Sequence, residues 1–202
     1  PIGEGYRAAL EELYPDIITH VPNAVVKAVD PFNKHIKTAA GDFDFDDAVL
    51  MPPHQAADMV RYADLIGTGP DGKPTGWADI DPRYFTARGD DSVYVGGDCR
   101  GFISDQFGHY PKSAHVAHAI AKIVSQNIAE RVADKEVIPV LPDNLCYMMV
   151  NADPQEEISV KFEYELDPNG KVLQTQIDMD VRTNDLVKDD FNWIKSRFDD
   201  FL

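Results

Sequence analysis

Apolar positions recur with helical spacing at the start of the chain. In residues 4–14, Tyr6, Leu10, Leu13 and Tyr14 share one face, and Pro15 ends the run. The stretch that follows, up to Pro53, breaks into short apolar segments divided by turn residues. It predicts strands at 17–20, 24–29, 34–38 and 48–51, with turns at Pro22-Asn23, Asp30 to Asn33 and Gly41-Asp42. A helix is expected within 55–65, then a Gly- and Pro-rich loop over 67–83. Residues 92–95 read as a short apolar strand running into Gly96-Gly97-Asp98. Residues 112–132 return to helical spacing at Val116, Ile120, Ile123, Val124 and Ile128, and Pro111 and Ser113 suit its N-terminus. From about residue 136 the pattern becomes an antiparallel meander: strands at 145–151, 158–166 and 171–177, with a hairpin signal at Asp167-Pro168-Asn169-Gly170. Residues 186–202 read as an acidic amphipathic helix carrying Phe191, Trp193, Ile194, Phe198 and Phe201.

Composition narrows the classes. The chain has 202 residues, 44% hydrophobic and 27% charged, enough to bury a core. Lys plus Arg number 19 against 35 Asp plus Glu, a formal charge of −16. Such a surface repels phosphate backbones, which argues against nucleic acid, and it disfavours an anionic membrane surface. No apolar run approaches the roughly 20 residues a membrane span needs. Two cysteines, Cys99 and Cys146, cannot build a disulfide framework.

Several motifs carry candidate chemistry. Gly67, Gly69 and Gly72 spell a dinucleotide fingerprint, but Pro70 and Pro74 stand where its helix would start, so a loop is expected. Val93 to Asp98 is a strand ending in glycines and an acid. Gly97 would let a ligand approach the backbone, and Asp98 could accept a hydrogen bond from a sugar or ribityl hydroxyl; a strand-end turn with a solvated Asp is the competing reading. Pro111-Lys112-Ser113 opens the long helix, where free N–H groups and the Lys112 charge suit an anionic locus; an ordinary cap is the alternative. His109, His115 and His118 cluster without an acid or thiol at ligand spacing, so polar helix-face residues are expected rather than a metal site. Asp42, Asp44, Asp46 and Asp47 alternate with Phe43 and Phe45 but lack the glycine and terminal Glu of a calcium loop; they read as the edge of a hairpin. Cys146 lies in an apolar strand, where a thiol is usually packing.

The order of these segments resembles the flavoprotein subunit of flavocytochrome c sulfide dehydrogenase, over its C-terminal half. The matching text is Met51-Pro52-Pro53-His54-Gln55-Ala56, Gly76 to Asp81, Val93 to Asp98, Pro111-Lys112-Ser113 and Asn144-Leu145-Cys146-Tyr147, with Ile158-Ser159-Val160, Tyr164 and the tail around Trp193. Sulfide:quinone oxidoreductases share the strand-Gly-Asp and Pro-Lys-Ser elements.

The resemblance implies an α/β plus α+β chain, the C-terminal part of an FAD flavoprotein with two dinucleotide-binding domains and an antiparallel C-terminal domain. Residues 1–52 would be the remainder of the second dinucleotide-binding domain, 53–135 the end of the FAD-binding domain, and 136–202 the C-terminal domain. Gly97 and Asp98 would hold the FAD ribityl chain. Lys112 and Ser113 would lie against the isoalloxazine and stabilise the negative charge of its reduced form. Pro53 and Gln55 would lie near the ring. Cys146 would be one of two redox cysteines that carry sulfur from sulfide to the flavin, with a c-type cytochrome subunit taking the electrons in the periplasm. The glycine-rich FAD fingerprint and the other redox cysteine belong to the family's N-terminal half, so the chain is expected to be a fragment whose FAD site is incomplete. Ala114-His115 and His118 depart from the family pattern beside the flavin. Two other readings stay open: an acidic, non-catalytic module docking a cytochrome or second subunit, and a quinone-linked sulfide oxidoreductase. A homo-oligomer is also left open.

Overall fold

The computed structural model describes residues 2–200, a mixed α/β protein with antiparallel sheets and four helices among them. It divides into two compact units, essentially residues 3–54 and 55–202.

The first unit holds helix α1 (Ile2–Leu13) and a meander of β1 (Val26–Asp30), β2 (His35–Thr38) and β3 (Asp42–Asp44). The β1–β2 turn forms at the predicted place. Asp30 folds back to accept from the backbone N–H groups of Phe32 and Asn33, which also holds its carboxyl below the usual range. The alternating acids line the β3 edge as expected, and His35 reaches across to Asp44 at 2.8 Å. That bond holds the imidazole pKa above its ordinary value. Strands expected at 17–20 and 48–51 are not formed; both are turns or irregular chain. They lack neighbours to complete a ladder, and an isolated strand leaves its backbone groups unpaired. Ala9 is the one buried apolar side chain among the described residues of this unit, while Val25, Phe32, Val49 and Met51 stand exposed.

The second unit opens with α2 (Asp58–Tyr62), shorter than the expected helix. The segment read as a loop instead forms a hairpin of β4 (Ile66–Thr68) and β5 (Pro74–Ala78), with Gly72 at φ +76° in its turn. Its glycines therefore serve a hairpin rather than a loop. A second small sheet joins β6 (Ile80–Asp81), β7 (Thr86–Ala87) and β8 (Asp90–Tyr94). β8 runs into a single 3₁₀ turn at Gly97–Cys99.

Helix α3 (Ala114–Val132) starts where Pro111 and Ser113 predict. Ser113 is its N-cap, and its hydroxyl accepts from the Val116 N–H. Of the predicted apolar face, Val116 and Ile120 are fully buried and Ile128 is largely exposed. The C-terminal meander is present and longer than expected: β9 (Asn144–Ala152), β10 (Gln155–Leu166) and β11 (Val172–Thr183), in the order β11-β10-β9. Asp167 caps the β10–β11 turn by accepting from the Asn169 and Lys171 N–H groups. Helix α4 (Asp185–Asp199) packs on this sheet through Leu186 and Val187, whereas Phe191 and Phe198 are exposed. Phe201 lies outside the described residues.

One core ties this unit together, from Val60, Ala78, Ile80 and Phe85 to Tyr110, Val116, Ile120 and Val172. Its tightest point is at Gly101, whose N–H donates to the Ala78 carbonyl at 2.9 Å. A Cβ there would sit 2.4 Å from that oxygen. Gly101→Ala is expected to cost about 2–4 kcal/mol, because backbone rather than a flexible side chain must move. Urea unfolding of the two proteins measures it.

Candidate functional site

β8 and α3 deliver their ends to one place. After β8, Gly97 takes φ +62°, with nothing within 4 Å of where a Cβ would be, and turns the chain so that Asp98 faces solvent. The Asp98 carboxylate makes no hydrogen bond or ion pair. Its main-chain carbonyl accepts from Lys112 Nζ at 2.6 Å, and the Arg100 carbonyl accepts from the same ammonium at 2.9 Å. The ammonium also sits 3.6 Å from the centroid of the Trp77 ring, at the end of β5.

Arg100 answers in the opposite direction. Its Nε donates to the Gly97 carbonyl at 2.6 Å and its Nη2 to the Pro111 carbonyl at 3.2 Å. The guanidinium lies over the Tyr110 ring, 2% of the residue is exposed, and Nη1 is buried with no partner. Two cations and the N-terminus of α3 thus converge, and the carboxylate beside them is Asp98. Burial, then the Arg100 charge, lowers the Lys112 pKa, and Asp98 holds it up. Burial also lowers the Arg100 pKa, with Asp98 again opposing. Burial pushes the Tyr164 hydroxyl up to about 12.

Ser113 is committed inward. Besides capping α3, it donates to Asn144 Oδ1 at 3.2 Å. Asn144 is fully buried, and its Nδ2 lies 3.5 Å from the Sγ of Cys146, two residues along the same face of β9. The start of α3 is therefore tied through one amide to the half-buried thiol.

Of the residues expected at the site, Gly97, Asp98, Lys112, Ser113 and Cys146 are joined by this chain of contacts. Gln55 approaches from the same unit. Its Cβ is 3.5 Å from the position a Cβ would take at Gly76, next to Trp77, and the neighbouring Ala56 N–H donates to the Gly76 carbonyl. Pro53 belongs to the other unit. Arg100, Asn144 and the position of Trp77 under Lys112 were not foreseen. Nothing in a run of Asp-Cys-Arg-Gly marks its arginine as buried.

The histidines do not assemble. His109 Nδ1 donates to the Gly101 carbonyl, His115 pairs with Asp143 and Trp193, and His118 pairs with Asp200. No group of three or more His, Cys, Asp or Glu among the described residues is placed to hold a metal. A cavity of about 640 Å³ lies elsewhere, between Asp81–Arg83, Arg88, residues 102–106 and the β10–β11 turn. Its cations are balanced by acids: Arg83 by Asp81, Arg88 by Asp79 and Lys171 by Asp105.

No family model and no curated protein matches the chain. No helix among the described residues is long and apolar enough to cross a membrane.

Lys112 releases its proton more readily in the folded chain than unfolded, so it makes stability climb as pH rises from its lowered value toward the ordinary lysine range. NMR titration of the Lys112 side chain should give a pKa below that of free lysine, and Asp98→Asn should lower it further. An unchanged value in Asp98→Asn would show that the carboxylate does not act on the ammonium.

Proposed function

We propose that the chain is the C-terminal part of an FAD-dependent sulfide dehydrogenase that passes electrons to a c-type cytochrome. The observation that carries this reading is the buried Arg100 guanidinium. It has an unpartnered Nη1, and it stands beside Lys112 and the start of α3 with no carboxylate bonded to either cation. Buried charge without a counter-ion is costly, and this arrangement suits a partner that carries negative charge.

The donor set fits FAD at two points. Asp98, exposed and unbonded, is free to accept from a hydroxyl of a ribityl chain, and the open side of Gly97 gives that chain room beside the backbone. Lys112, Arg100 and the first-turn N–H groups of α3 supply positive potential for a ring that gains charge on reduction. FAD, when bound, would supply an acceptor for an electron pair and a relay to a one-electron cytochrome.

The residues of the chain would do the rest. Cys146 would join a cysteine outside these residues in a disulfide. Hydrosulfide would attack one sulfur, forming a new S–S bond as the old one breaks. The displaced cysteine would leave as a thiolate that holds the electron pair. Asn144 would orient the Cys146 sulfur through its amide and fix its position relative to α3 through Ser113. The exposed apolar faces of residues 3–54 are consistent with a partial dinucleotide-binding domain that packs against further chain. Periplasmic location rests on the resemblance alone.

Assembly of this chain with a polypeptide carrying the family's glycine-rich FAD fingerprint and second redox cysteine tests the reading. The complex should retain flavin absorbance and reduce cytochrome c when sulfide is added. Cys146→Ser should keep the flavin and lose the sulfide-dependent reduction. Asp98→Ala should weaken flavin retention about tenfold, the worth of one charge-assisted hydrogen bond. Full activity in Cys146→Ser would overturn the mechanism. Unchanged flavin in Asp98→Ala would overturn the site and leave the acidic docking module as the better description.

A further inference from the structure

The underside of α4 carries a feature that the proposed chemistry does not use. Glu157, on β10, is only 2% exposed although it is a carboxylic acid. It hydrogen-bonds Asp190 of α4, and its Oε2 is buried with no partner. Two carboxyl groups hydrogen-bond each other only if one holds a proton, since two carboxylates are both acceptors.

The surroundings offer little to stabilise a second charge. β9 contributes the phenol of Tyr147. β11 contributes Asp180, whose carboxylate accepts from Ser159 at 2.5 Å, and Arg182, which pairs with Glu156. α4 adds Asp189 next to Asp190, and its Arg197 guanidinium lies over the Trp193 ring. From α3, His115 meets Trp193, and His118 and Lys122 meet Asp200. The charges acting on Tyr147 are all acidic: Asp189, Asp190, Asp180 and Glu157. No group of three metal-binding side chains forms here among the described residues, so a cation is not built in to replace the proton.

We infer that one proton shared by Glu157 and Asp190 latches α4 onto the β9–β11 sheet, and that its loss at alkaline pH releases the helix. Burial supports the same direction. It raises the pKa of Glu157, with the Asp190 charge adding to it, and it raises that of Asp190. A group that binds its proton more tightly folded than unfolded stabilises the docked state at low pH, and that contribution is lost as pH rises through the raised value. Release would break the hydrogen bond from Trp193 Nε1 to His115 Nδ1 (3.0 Å) and unstack the two rings, 5.6 Å apart. It would also uncover the β9 strand that carries Cys146. The device stands on the carboxyl pair and does not depend on the flavin reading.

Hydrogen exchange of the full chain, corrected for intrinsic base catalysis, tests it on peptides from Asp185–Asp199. Protection should fall about tenfold per pH unit above the pair's titration, one proton being lost. In Glu157→Gln, an amide donates to Asp190 without titrating, so protection should hold flat over the same range. Asp190→Asn tests the same bond from the helix side and should also flatten the profile. Equal pH profiles in wild type and both variants would overturn the latch. Protection restored at alkaline pH by added Ca²⁺ or Mg²⁺ would overturn it too, since a cation rather than a proton would then bridge the carboxyls.

Discussion

Two cations, each held by the other's backbone, set the geometry around which the larger unit is arranged. Arg100 reaches forward to the Gly97 and Pro111 carbonyls, and Lys112 reaches back to those of Asp98 and Arg100. Together they close the segment from residue 97 to residue 112 into a loop whose polar groups point inward. The closure works only because Gly101 can press its backbone against Ala78, which brings Arg100 alongside β5 and puts Trp77 under the Lys112 ammonium. Carbonyl oxygens can solvate a cation but cannot neutralise it. The positive charge therefore stays at the surface of the fold, next to the start of α3, and this residual field makes the site chemically specific.

Local signals were legible where a short stretch of sequence decides the structure. Ser113 starts α3 because its hydroxyl caps the first turn, and Asp167 closes the β10–β11 hairpin through its own side chain. Both depend on neighbours within a few residues. The misses have a tertiary cause. Apolar runs at 17–20 and 48–51 look like strands in isolation, but a strand exists only with a partner, which nothing in the run reveals. The 67–83 segment was read from its glycines and prolines as a loop, yet β4 and β5 pair across it.

The same division runs through the site. Asp98 and Lys112 were visible because glycines after a strand and a Pro-Lys-Ser helix start are local patterns. The burial of Arg100 and the role of Asn144 were not, because both depend on where α3 and β9 meet. Asn144 would read as the first residue of an ordinary strand. Its weight comes from lying 3.2 Å from Ser113 and 3.5 Å from Cys146 at once, across 31 residues of chain. Any account of Cys146 as a working thiol must therefore pass through the cap of α3.

α4 extends that coupling to the far side of the sheet. Trp193 donates to His115 Nδ1, which fixes the remaining proton of a neutral imidazole on Nε2, facing Asp143. His115 lies in the first turn of α3, two residues after the cap that holds Asn144. A helix pinned by a proton on Glu157 and Asp190 at one end of its contact thus orients a ring beside the thiol's positioning amide at the other. The sheet residues between them, Ser159 and Tyr147, face each other in register on β10 and β9. Rigid pairing of this kind passes displacement rather than absorbing it, because a closely packed interior has few alternative arrangements. An acidic tail helix, which composition would mark as a solvated surface element, is in this fold mechanically joined to the most reactive side chain of the unit.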